Sequence, residues 1–296
     1  MGAKSSRSVA LVFPPELERK IIELAAHDHP FCMPTLVLVA WRVKEWVEPL
    51  LYRTLFFGSS YRLEGHLAPR ADIFASLIQS GKKPASFFHH TVRNMLISDY
   101  DSLPAADLIL STCSGVENLS IAGIRQRTAL PALAGLALKR LYCNLDGLFG
   151  SQEKIDFTHG LFAHLTHLDL FYLGNILPTT LSGLALVPHL SHLSFQDDDY
   201  RSHPSAPLAL LQTCKSLRVL VSLISRKGDH ARVDDTGILS YPRFVRMARR
   251  PYAADWQMGA HAGDDYWVRA EAFIARRISG EVDPFQNILP RDASES

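Results

Sequence analysis

A six-residue pattern, apolar-x-x-apolar-x-apolar, recurs along this chain and limits what it can fold into. Its copies begin at Val92, Val116, Leu138, Leu165, Leu190 and Leu217, 22 to 27 residues apart. The sixth is weaker, because Ser222 falls at its last apolar place. That period is the span of one strand plus one return helix. No such unit can bury its apolar positions alone, so neighbours must stack and their strands must join into one parallel sheet. Two preceding segments support the return helix: Leu108-Ile109-Leu110-Ser111-Thr112-Cys113 and Leu210-Leu211-Gln212-Thr213-Cys214 match in type and in distance from the next copy. The expected fold is therefore α/β, a leucine-rich solenoid over 55–225 with a parallel sheet on the concave face and helices on the convex face.

Side chains alternate along a strand, so the last two apolar positions of each copy point into the core and the intervening ones face out on the inner curve. Asn94, Asn118, Arg140, His167 and His192 form one outward row; Ser120, Tyr142, Asp169 and Ser194 form the next. Amide, imidazole, aromatic and single charges in alternation suit recognition of a protein better than of a phosphate backbone. Asn94, Asn118, Arg140, Tyr142, His167, Asp169, His192 and Ser194 are the candidate target-binding residues, with a merely solvated face as the alternative.

Upstream, Pro14-Pro15-Glu16 sets up a helix start, since proline is tolerated in the first turn and an acid complements the dipole. Leu17, Ile21 and Leu24 then recur at helical spacing, widened by Ile22 and Ala25, and the helix ends near His27. A second apolar series, Leu36, Val39, Val43, Trp46, Val47 and Leu50, predicts another helix that Pro49 should end or kink. Helices this short make no independent core, so the module over 11–54 must dock on the rest of the chain or on a partner.

The run Phe13-Pro14-Pro15-Glu16-Leu17, then Ile21 and Leu24, then Leu36-Val37-Leu38-Val39-Ala40-Trp41-Arg42-Val43, then Pro49-Leu50-Leu51-Tyr52 resembles an F-box, and more narrowly the F-box-like openings of fungal proteins that carry irregular leucine-rich repeats. The resemblance implies binding to the linker subunit of an SCF-type (cullin-RING) ubiquitin ligase through Pro14, Leu17, Ile21, Val39 and Leu50. The chain departs from the family at Val43, where tryptophan is common, and in a longer loop from His27 to Pro34. The alternative is that the same stripe caps the solenoid and binds nothing outside. Asp264-Asp265-Tyr266-Trp267-Val268-Arg269-Ala270 resembles the closing helix of the same group.

After the sixth copy, 226–236 reads as a polar loop and 241–247 as a last edge strand. A final helix then carries Tyr266, Val268, Ala270, Phe273, Ile274 and Ile278 on its apolar side, with Gly280 as its stop. This region, 226–286, is expected to cap the end of the stack; 1–10 and 287–296 are expected to be loose tails.

Charge and cysteine content narrow the function further. A formal net charge of +1 gives no long-range pull toward nucleic acid or an anionic membrane. The four cysteines, far apart and without a paired motif or export signal, suggest buried thiols in a reducing compartment, cytoplasmic or nuclear. No apolar run reaches transmembrane length. Met1-Gly2-Ala3-Lys4-Ser5-Ser6 fits the N-myristoylation pattern, so Gly2 is a candidate weak lipid anchor, against a frayed polar tail. Nucleotide-binding, serine-hydrolase and zinc-protease motifs are absent from the sequence. His167 and His192, in matching places of adjacent copies, should stand side by side, but repeat duplication explains them without a metal. His27-Asp28-His29 and His89-His90 read as loop residues. No catalytic residue, cofactor or metal is therefore expected. The expected function is recruitment of an unknown target protein to a ligase; the alternative is a leucine-rich interaction scaffold with no ligase role.

Overall fold

A computed structural model describes residues 13–58, 68–98, 105–122, 129–171, 176–196, 205–224 and 237–290. Gly2 and the 226–236 loop lie outside the described residues. The chain divides into two compact units, one up to Leu51 and the other from Tyr52.

The first unit holds α1 (Pro15–Asp28), a short α2 (Met33–Leu36) and α3 (Trp41–Leu51). Pro15 and the first-turn acids Glu16 and Glu18 start α1 as predicted. Pro49 does not end α3, which runs on to Leu51: a proline so near a helix end removes little of the hydrogen-bond ladder. Ala26, Met33, Val43 and Val47 are buried together, with Ile22, Leu36, Trp46 and Leu50 packed round them. Four buried side chains make a small core. Arg42 on α3 reaches Glu18 on α1 at 2.7 Å, adding a peripheral clamp.

The second unit is a nine-stranded sheet, all parallel, in strict chain order. Its strands are β1 (Thr54–Phe57), β2 (Asn94–Ile97), β3 (Asn118–Ile121), β4 (Arg140–Cys143), β5 (His167–Leu170), β6 (His192–Gln196), β7 (Val219–Ile224), β8 (Phe244–Ala248) and β9 (Ile288–Leu289). All six recurring segments are strands, β2 to β7, and they pair with equivalent positions opposite: Asn94, Asn118, Arg140, His167, His192 and Val219 form one continuous row.

Parallel neighbours require crossovers. These carry α4 (Ala71–Gln79), α5 (Ala85–Thr91), α6 (Ala106–Thr112), α7 (Leu130–Ala134), α8 (Leu145–Phe149), α9 (Pro178–Leu184) and α10 (Ala206–Thr213). Met95, Leu119, Leu141, Leu168, Leu193 and Leu220 share one buried cluster with Phe74, Phe88, Ile109, Leu133, Leu184 and Leu210 from those helices. Cys113, Cys143 and Cys214 are buried in the same core, and burial alone pushes the Cys113 thiol up to about 12.

Other features also differ from expectation. β1 extends the sheet ahead of the first recurring segment. β8 is not the edge, because Ile288 and Leu289, expected in a loose tail, pair with Arg246 and Met247. His27 and His89-His90 lie on α1 and α5 rather than in loops.

The largest difference concerns α11 (Tyr252–His261) and α12 (Tyr266–Ile278). Instead of closing only the end of the stack, they lie across the sheet face opposite the crossover helices. A second core there joins Trp256, Tyr266, Trp267, Ala270 and Phe273 to Tyr142, Val219, Val221, Val245 and Met247. The buried side of α12 contains Trp267, while Val268 and Ile278, predicted to be inside, are exposed. Gly280 does follow the helix with a left-handed φ of +79°, where a side chain would be strained.

Candidate interaction surfaces

The outward rows of β3 to β6 do not form open docking area; α11 and α12 already use them. Asn118 accepts a hydrogen bond from the Trp256 indole at 3.2 Å, and the Trp267 indole donates to the Tyr142 hydroxyl at 3.2 Å. The Tyr266 hydroxyl donates to the Asp169 carboxylate at 2.9 Å and lies 2.8 Å from Ser194 Oγ. Ser120 is hydrogen-bonded to the Tyr252 hydroxyl. Arg140 pairs with Asp265 at 2.6 Å, and Asp265 also caps α12 by accepting from the Val268 N–H. Asn118, Ser120, Asp169, His192 and Ser194 are buried; Arg140 and His167 keep partial exposure. Asn94 is also buried and donates to Thr54 on β1. The predicted target-binding set is thus an internal polar seam: apart from His167, whose Nδ1 lies 2.9 Å from the hydroxyl of the adjacent Thr166, each polar group meets a partner from a segment far along the chain, as burial demands.

Burial shapes the chemistry of the seam. It raises the Asp169 carboxyl to about 6, against hydrogen bonds from Tyr266 and Ser194 that pull it down. Burial also raises the Asp265 carboxyl, with Arg140 opposing. The His167 and His192 rings stack with centroids 4.0 Å apart, and both meet the Trp267 ring edge-on. Burial lowers His167 to about 2, helped by the neighbouring His192 and Arg140. His192 is lowered by burial too, although Glu271 on α12, 3.1 Å from its Nε2, favours the charged form. The side-by-side placement of the two histidines follows the repeat register, as expected. Among the described residues, no three His, Cys, Asp or Glu side chains gather as metal ligands would.

In the first unit the predicted linker contacts divide. Leu17 and Ile21 are about half exposed, Val39 is 67% exposed and Pro14 is exposed; Leu50 instead packs on the small core. At 100° per residue Leu17, Ile21 and Leu24 share an arc of about 60°, and Ile22 and Ala26 lie about 130° and about 170° round the helix from the centre of that arc. α1 therefore has two apolar faces, and the core uses only the second. Phe13, Leu24, Leu38 and Trp41 are exposed as well. Single exposed apolar residues are ordinary; an aligned stripe marks a site of association.

Among the described residues no helix is long and apolar enough to cross a membrane. Neither the models of known protein families nor the curated proteins contain a match to this chain.

Proposed function

We propose that this chain is a non-catalytic adaptor of the F-box-like, leucine-rich type, which brings a target protein to an SCF-type ubiquitin ligase. Its N-terminal helices dock on the linker subunit, and the repeat unit holds the target; proximity then raises the rate of transfer. The observation that supports this reading is the stripe of Leu17, Ile21 and Leu24, left exposed on a helix whose other apolar face already fills its own core. The regular parallel stack fits the leucine-rich half of the reading. The target must be read outside the covered rows of β3 to β6, since their polar groups are spent on α11 and α12.

The test is co-purification of the full chain with the linker subunit, before and after Leu17→Asp and Ile21→Asp. Association of the parent chain, lost in the double variant while its helical circular dichroism is retained, supports the reading. No association of the parent overturns the ligase role, and association that survives both substitutions overturns the assignment of this face.

A further inference from the structure

Between the C-terminal ends of β2 and β3 and the first turn of α11 lies a cleft of about 210 Å³. Leu96, Ala122, Phe171 and Ala253 give it apolar walls. Ser98, Ser120 and Tyr252 supply hydroxyl groups, and among the described residues Arg249 is the cation lining it. Among the described residues Arg249 makes no ion pair and no side-chain hydrogen bond; its guanidinium lies over the Tyr252 ring, 5.8 Å from the centroid. Every other polar group of the neighbouring seam for which contacts were described above meets a fixed partner. Asp169, which feels Arg249 electrostatically, is already held by Tyr266 and Ser194.

We propose that this cleft is a binding site for a small amphiphilic carboxylate, with the apolar body against Leu96 and Phe171 and the carboxylate on the Arg249 guanidinium. Three considerations carry the assignment. An apolar pocket with a few convergent polar groups is the usual form of a small-molecule site, and this one is of fragment size. A guanidinium presents paired donors that match a carboxylate, and the apolar wall lowers the local dielectric, so the pair is stronger there than in water. A ligand of about eleven heavy atoms, such as 3-phenylpropionate, occupies roughly 200 Å³ at interior packing density, close to the space present. Because the cleft is bounded by both the sheet and α11, an occupant ties the C-terminal helices more firmly to the strands. The site stands independently of the ligase reading.

The experiment uses the full chain with hexanoate, 3-phenylpropionate and the amides of both acids as probes, read by isothermal titration and by thermal shift. The acids are expected to bind and raise the melting temperature, the amides to bind at least tenfold more weakly. Arg249→Gln is expected to erase that preference, and Ala122→Phe, which fills the cleft from its half-exposed rim, to abolish binding of acids and amides alike. Circular dichroism establishes that both variants keep the parent fold. Failure of both acids to bind the parent overturns the proposal, as does equal binding of acids and amides. Undiminished binding of the acids to Arg249→Gln also overturns it.

Discussion

Replacing His167 by phenylalanine is expected to make the repeat unit resist acid better than the parent. His167 stacks on His192 beneath Trp267, with Arg140 beside it on β4; across the seam, Asp265 pairs with Arg140 and Glu271 with His192. Arg218 stands 4.0 Å from Glu271, so no carboxylate is left over for His167. The folded chain holds His167 at about 2 against an ordinary 6.5. Above pH 6.5 the ring is neutral in both states and contributes nothing to the pH dependence. Below it the unfolded chain takes up a proton that the folded chain refuses, so stability falls with pH through the window from 6.5 to about 2. At about pH 5 the linkage relation makes this loss about 2 kcal/mol. Asp169 works in the opposite sense: its folded value of about 6 lies above the ordinary 3.8, so the folded chain gains as pH falls. The difference between parent and variant cancels that contribution. Guanidinium unfolding followed by tryptophan fluorescence at about pH 7.5 and about pH 5 reads the difference, since Trp256 and Trp267 are buried in the seam. Equal acid-induced losses in parent and His167→Phe would refute the reasoning.

Other outcomes follow from the same contacts. Trp267→Ala removes a buried indole and its bond to Tyr142, so stability should fall by about 3–5 kcal/mol, with loss of near-ultraviolet dichroism. Arg140→Ala strands the buried Asp265 carboxylate at a cost of about 3 kcal/mol; adding Asp265→Asn, which can still cap α12, should recover part of that in denaturant titrations. Gly183→Ala should cost about 1–3 kcal/mol, because a methyl group there meets the Phe157 ring; Phe157→Leu in the same chain should relieve it, as melting curves would show. Leu17→Asp with Ile21→Asp should change the melting temperature little, since both side chains are exposed.

The aligned stripe on α1 shows both what a sequence can disclose and where it stops. Leu17, Ile21, Ile22 and Ala25 identify an amphipathic helix by spacing alone. Which apolar face would be spent on Val43 and Val47 depends on how α3 crosses α1, and local periodicity carries no such information. The role of the polar rows is hidden in the sequence for a related reason. Asn118, Arg140, Asp169 and Ser194 alternate with core leucines, which is also how a solvated strand face looks. Trp256, Tyr266 and Trp267 were the available signal, because three large aromatics with polar tips in a supposed end cap need both apolar cover and hydrogen-bond partners.

The sequence by itself determined the strands β2 to β7, their parallel order and their register, because those depend on a short-range alternation that each repeat renews. It also determined which side of each strand meets the crossover helices. Only the tertiary structure decided what covers the other side. The partners of the seam lie more than 70 residues apart, from Ser194 with Tyr266 to Asn118 with Trp256, and are chosen by shape and hydrogen-bond complementarity between surfaces that exist only once the sheet has formed.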